Sequence, residues 1–182
     1  MASVRKALWL SPQDYLDGEL HSDIKHEYVA GYVYAMTGAS EPHNLITGNL
    51  FAALHAHLRG KPCRVFINVM KVRTETAFYY PDIMVCCDPG DTEAYYKTCP
   101  ALIIEVLSPT TERADTLEKR IAYQTLTSLQ EYVLVVQERP EVNIYRRIVD
   151  GWELETLSAG DQVSLRSVDL QLPIELIYED VL

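Results

Sequence analysis

Apolar and polar positions along the chain divide it into short extended runs around two amphipathic helices. Residues 26–36 (HEYVAGYVYAM) are rich in tyrosine and valine and are interrupted at Gly31, which predicts a hairpin with a turn or bulge at the glycine. Ahead of them, Ser11 followed by Pro12 reads as an N-cap and a first-turn proline, opening a short helix that Gly18 ends. Across residues 43–58 the side chains of Ile46, Leu50, Ala53 and Leu54 recur at helical spacing, and Gly60 and Pro62 terminate that helix. Residues 65–72 and 79–87 are each expected to form one strand, the second with Pro81 and Asp82 near its start. A loop rich in Asp, Gly and Pro spans residues 88–100.

Residues 101–107 (ALIIEVL) are a nearly continuous apolar run of strand length, as expected for a strand buried on both faces, and Ser108-Pro109 stops it. Only Glu105 interrupts the run. A second helix is expected over residues 112–126, capped by Thr110 or Thr111, with Ala114, Leu117 and Ile121 on its apolar face. Residues 131–136 (EYVLVV) read as another buried strand. Residues 142–149 and 152–157 form a hairpin signal around Asp150-Gly151 that suggests a type I′ turn, and residues 173–178 can start a last short helix. The order is hairpin, α, β, β, β, α, β, hairpin. It predicts one α/β domain over residues 1–182, with an N-terminal helix and hairpin (1–40), a core (41–137) and a C-terminal hairpin and tail (138–182).

Composition narrows the possibilities. A chain of 182 residues that is 48% hydrophobic can bury one substantial core and is short for two. No apolar run approaches the roughly 20 residues of a membrane span, and MASVRKALWL lacks the long apolar segment and cleavage site of a signal peptide, so a cytoplasmic protein with no membrane partner is expected. The net charge of -10 opposes broad electrostatic capture of nucleic acid. A carboxylate site that recruits a cation escapes the objection, because the ion reverses the local field. None of the four cysteines, Cys63, Cys86, Cys87 and Cys99, has C-x-x-C spacing, and buried reduced thiols are the favoured reading. His55 and His57 stand two apart on a helix and point away from each other.

A carboxylate inside ALIIEVL carries the most information, since an unpaired charge in an apolar interior costs several kcal/mol or takes up a proton. Asp82 is the candidate partner, because side chains on one face of adjacent strands can meet. Two such acids repel each other unless they share a proton or a cation. Oxygen ligands suit Mg²⁺ or Mn²⁺, with waters and the Val106 carbonyl completing the shell. The alternative is that Glu105 pairs with a buried Arg or Lys while Asp82 caps a turn.

HEYVAGYVYAM, the helix from His43, YYPDIMV, ALIIEVLSPTT and the spacing of Asp115, Lys119 and Tyr123 together resemble the Uma-type family of restriction endonucleases, a group placed in the PD-(D/E)XK nuclease superfamily. The resemblance runs from about Glu27 to the final hairpin. It implies a restriction-endonuclease-like α/β/α core with a mixed central sheet and additional hairpins, and a metal-dependent phosphodiesterase site with Asp82 and Glu105 as the metal-binding acids. DNA is the implied substrate. In the superfamily a lysine follows the second acid by two residues; here that position is Leu107. Lys119 is the replacement chosen here, since Asp115, Lys119 and Tyr123 share one helical stripe. An ordinary Asp115–Lys119 surface pair remains the alternative, and Lys71 competes for the role. Glu27 is either a further acid near the site or a surface carboxylate. The rival functions are a decayed module that keeps the fold and a hydrolase of a small phosphorylated substrate. Exposed hairpin strands make a homodimer plausible.

Overall fold

The computed structural model describes residues 9–107 and 114–181. Ser11 caps α1 (Pro12–Glu19), its hydroxyl accepting from the Asp14 N–H at 3.1 Å. The buried Tyr15 of this helix stacks on Tyr28 of β1 (His26–Val29). β1 turns into β2 (Tyr32–Ala35) through Ala30 and Gly31, both at positive φ (47° and 96°), the requirement of a type I′ turn. α2 (Glu41–Leu58) begins ahead of residue 43 because Ser40 is its N-cap, accepting from the His43 N–H at 3.3 Å, with Pro42 in the first turn.

Both strands expected between residues 65 and 87 are in fact pairs of strands. The run 65–72 splits into β3 (Arg64–Ile67) and β4 (Lys71–Arg73), because Asn68 takes a left-handed conformation (φ 52°) that redirects the chain into another sheet. The run 79–87 likewise splits into β5 (Ala77–Tyr79) and β6 (Ile83–Cys86) around Tyr80-Pro81-Asp82, where proline has no N–H to extend a ladder. Asp82 therefore sits in the bend before β6. The expected loop contains the two-residue β7 (Tyr96–Lys97), and ALIIEVL lies in β8 (Pro100–Leu107).

After α3 (Ala114–Gln124) come β9 (Glu131–Val136), β10 (Glu141–Ile148) and β11 (Gly151–Ser158). The expected caps Thr110 and Thr111 lie outside the described residues. Ile148 pairs with Gly151, so the β10–β11 loop is Val149-Asp150; neither residue has a positive φ, and the turn is not type I′. The small β12 (Gln162–Leu165) and β13 (Leu170–Pro173) pair together, and α4 (Ile174–Ile177) ends the fold.

β11-β10-β9-β8-β6-β3 form a mixed central sheet in which β8 and β9 are parallel and the other neighbours antiparallel. The pleat sends alternate residues to opposite faces. Ile83, Val85, Leu102, Ile104 and Val106 face α2, where Ile46, Leu50 and Leu54 cover them. Met84, Ile103, Tyr132 and Leu134 face the other way, toward Tyr123 of α3 and toward Val72 and Tyr79. That second layer is shared with a sheet of order β2-β1-β5-β4-β7, so the hairpin at residues 26–36 is part of a five-stranded sheet. No helix among the described residues is long and apolar enough to cross a membrane.

Three further expectations are corrected. Leu117 and Ile121 of α3 are 49% and 58% exposed, whereas Tyr123 is fully buried, so the side of the helix that carries Lys119 and Tyr123 faces inward. Lys119 and Tyr123 provide partners for the buried carboxyl of Glu105, described below, and this outweighs burying two aliphatic side chains. Cys63 and Cys87 are joined in a disulfide rather than reduced, because pairing Arg64 with Cys86 sets their neighbours side by side; Cys86 and Cys99 are free. Lys71 is buried with its ammonium over the Tyr80 ring, and it is not a wall of the cleft that holds the two acids.

Away from that cleft, the buried Glu131 accepts from Arg146 Nε at 2.9 Å, from the Arg166 N–H at 3.1 Å and from the Ser167 N–H at 2.8 Å. This fully satisfied ion pair ties β9 and β10 to the turn at residues 166–168.

Candidate active site

The register of β6 and β8 brings the two acids together. Ile83 stands opposite Ile104, and one step further along the antiparallel pair sets Asp82 opposite Glu105 on the same face. They clasp through the backbone. The Val106 N–H donates to Asp82 Oδ2 at 2.8 Å, and the Asp82 N–H reaches Glu105 Oε2 at 3.4 Å. Val106 thus meets the site through its amide as well as its position.

Glu105 is 9% exposed, and burial pushes its carboxyl up to about 7. Lys119 pulls it down; the negative charges of Asp82 and Glu27 push it up; the Tyr123 hydroxyl, donating to Glu105 Oε1 at 2.9 Å, favours the ionised form. Lys119 arrives from the inward side of α3, its Nζ 2.7 Å from Glu27 Oε1 and 3.7 Å from Glu105 Oε1. Burial disfavours its charge, but Glu105 and Glu27 outweigh burial and hold the ammonium above the usual lysine range. Lys119 thus approaches the two acids from α3, not from the strand that carries Leu107. The Asp115 side chain lies outside the described residues.

Glu27 is no surface carboxylate. It comes from β1 in the second sheet, holds Lys119 and accepts from the Tyr80 N–H at 3.3 Å. The sequence reading missed His43, whose Nε2 lies 2.9 Å from Asp82 Oδ1. Burial lowers the pKa of its ring, but the hydrogen bond and charge of Asp82, with help from Glu105, raise it overall. The available signal was its position in the first turn of α2, three residues after the Ser40 cap, where the helix start points the side chain at the sheet end.

Glu27, His43, Asp82, Glu105, Val106 and Lys119 line one cleft of about 770 Å³, whose walls also include Lys25, Tyr34, Tyr80, Tyr132 and the segment from Thr37 to Ser40. Three carboxylates there face two lysines and one histidine. Among the described residues no group of three or more His, Cys, Asp or Glu side chains is disposed to hold a metal ion. The pair Asp82 and Glu105 still has suitable chemistry for Mg²⁺, which is commonly bound through one or two carboxylates while keeping several waters.

A mixed central sheet with α2 on one face and α3 and a second sheet on the other, and two acids meeting across β6 and β8, defines a mixed α/β fold. Comparison with known proteins agrees. Residues 12–175 match the Uma2 family, described as "Putative restriction endonuclease", and the chain belongs to that family. Two proteins of Synechocystis sp. are similar over most of their lengths. The uncharacterized protein slr1290 is 36% identical over 173 residues, covering 93% of this chain and 91% of that one, and the uncharacterized protein sll1609 is 30% identical over 161 residues, covering 86% and 91%. Among solved structures, a "putative nuclease belonging to DUF820" from Anabaena variabilis superimposes with a TM-score of 0.75 at 19% identity, over 92% of this chain and 98% of that one, which shows a common fold.

Proposed function

We propose that the protein is a metal-dependent nuclease that hydrolyses phosphodiester bonds of DNA, with Asp82, Glu105 and Lys119 as its catalytic residues. One observation carries the reading: Lys119, from the helix that follows β8, reaches within 3.7 Å of Glu105 beside Asp82, supplying the lysine of an acid–acid–lysine set that Leu107 interrupts. Asp82 and Glu105, with the Val106 carbonyl, would hold Mg²⁺ or Mn²⁺. The chemistry such an ion supplies when bound is polarisation of the phosphate and easier deprotonation of attacking water.

The chain's own groups have distinct tasks. Tyr123 orients Glu105 through its hydroxyl, and His43 and the Val106 N–H fix the two oxygens of Asp82. Glu27 steers the Lys119 ammonium, which stabilises the negative charge that gathers on the phosphoryl oxygens as water attacks. Lys119 keeps its proton while Glu105 titrates near neutrality, so the lysine serves as an electrostatic anchor rather than as a base.

The test is a cleavage assay on DNA with Mg²⁺, with Mn²⁺ and with chelator, comparing wild type with Asp82→Ala and Lys119→Ala. Metal-dependent cleavage that each variant lowers by about 100-fold or more is expected, the usual size for losing a group that stabilises transition-state charge. Metal-dependent cleavage unaffected by Asp82→Ala would overturn the site.

A further inference from the structure

The cleft's walls bear on which form of nucleic acid it can hold, an inference that rests on the nuclease reading of the same site. Lys25 and Lys119 are the only Lys or Arg residues lining it among the described residues. Lys119 is engaged by Glu27 and Glu105, and Lys25 Nζ donates to the Asn68 carbonyl at 3.0 Å. With a net charge of -10 over the chain, the cleft has few cations of its own with which to neutralise the two backbones of a duplex.

The cleft offers a different contact. In the β1–β2 register Tyr34 lies directly opposite Glu27, the residue that steers Lys119, so its ring projects on the same face. Tyr34 lines the cleft and is 57% exposed. Every residue of β2 is exposed, and Tyr32 follows on the same face at 48%. An aromatic ring stacks on a nucleobase without needing positive charge, but the base must present a free face, which a duplex keeps inside its stack.

We propose that the substrate is single-stranded, and that a base flanking the scissile phosphate stacks on Tyr34. Tyr34 then determines strand specificity while Asp82, Glu105 and Lys119 carry the chemistry.

The experiment follows fluorescence anisotropy of a labelled mixed-sequence oligodeoxynucleotide, single-stranded and annealed to its complement, with Ca²⁺ present and then cleavage with Mg²⁺. Wild type, Tyr34→Phe and Tyr34→Ala are compared. The single strand is expected to bind about tenfold or more tighter than the duplex; Tyr34→Phe retains that affinity, and Tyr34→Ala loses about fivefold to a hundredfold of it, the range for one base–aromatic stack. Equal or tighter binding of duplex, no binding of either form, or an unchanged Tyr34→Ala protein overturns the proposal. So does a dimer in sedimentation that Tyr34→Ala dissolves without altering oligonucleotide affinity, since β2 would then be a contact between copies. Tyr34-dependent binding without cleavage would refute the nuclease reading alone, and cleavage indifferent to Tyr34→Ala would refute the stacking alone.

Discussion

Glu105→Gln, measured in the absence of metal, should stabilise the protein by an amount that grows with pH. In the unfolded chain this carboxyl loses its proton near 4.5; in the folded cleft, burial first, opposed by Lys119 and reinforced by Asp82 and Glu27, keeps the proton on until about 7. A folded-state pKa above the unfolded one means that the stability associated with the group is complete below about 4.5 and is lost as pH rises through about 7. At about 1.4 kcal/mol per pH unit, wild type should lose about 2 to 3 kcal/mol between about pH 5 and pH 8 through this group alone. Gln keeps nearly the same shape, can still accept from the Tyr123 hydroxyl, and does not titrate. Urea unfolding of both proteins in chelator across that range gives the difference directly, since the remaining carboxylates contribute to both curves. Parallel pH profiles for the two proteins would show that Glu105 is not held protonated by its surroundings, and the electrostatic account of the cleft would fail.

Two more outcomes follow from the same structure. Tyr123→Phe removes one donor from a buried carboxylate, so denaturant titration should find a loss of about 1 to 3 kcal/mol, and the pH at which activity rises should move upward as Glu105 loses a hydrogen bond to its ionised form. Arg146→Met strands the buried Glu131 and should cost about 3 to 5 kcal/mol in unfolding free energy, yet leave the metal affinity of the folded protein unchanged because the pair lies outside the cleft.

Much of the site is legible in the sequence because charge inside an apolar run has few physical solutions. Glu105 stands out against ALIIEVL, and Asp82 follows from strand spacing. Lys119 and Tyr123 come from the family resemblance, and helical periodicity adds only that they share a stripe; their helix was expected to bury Leu117 and Ile121. Amphipathicity rewards apolar burial, whereas here a charged acid determines which face turns inward. His43 left only a weak signal, its place in the first turn of α2, because a polar residue there is ordinary in any chain. The split strands are hidden because β-favouring residues stand on both sides of Asn68 and of Pro81-Asp82; the breaks come from a left-handed backbone and a proline. The second sheet depends on pairings such as Val29 with Ala77, and the disulfide on the β3–β6 register, neither of which leaves a local mark.

The central claim is that two crowded carboxylates form the seat of a divalent ion. Titration of Mn²⁺ into the protein, followed by calorimetry and by electron paramagnetic resonance, tests it without reliance on any substrate. The account predicts one ion per chain, bound more tightly at about pH 8 than at about pH 5 because Glu105 must lose its proton, and weakened by about tenfold to a hundredfold or more in Asp82→Asn. Binding of equal strength in Asp82→Asn, or no ion bound by wild type, would contradict it.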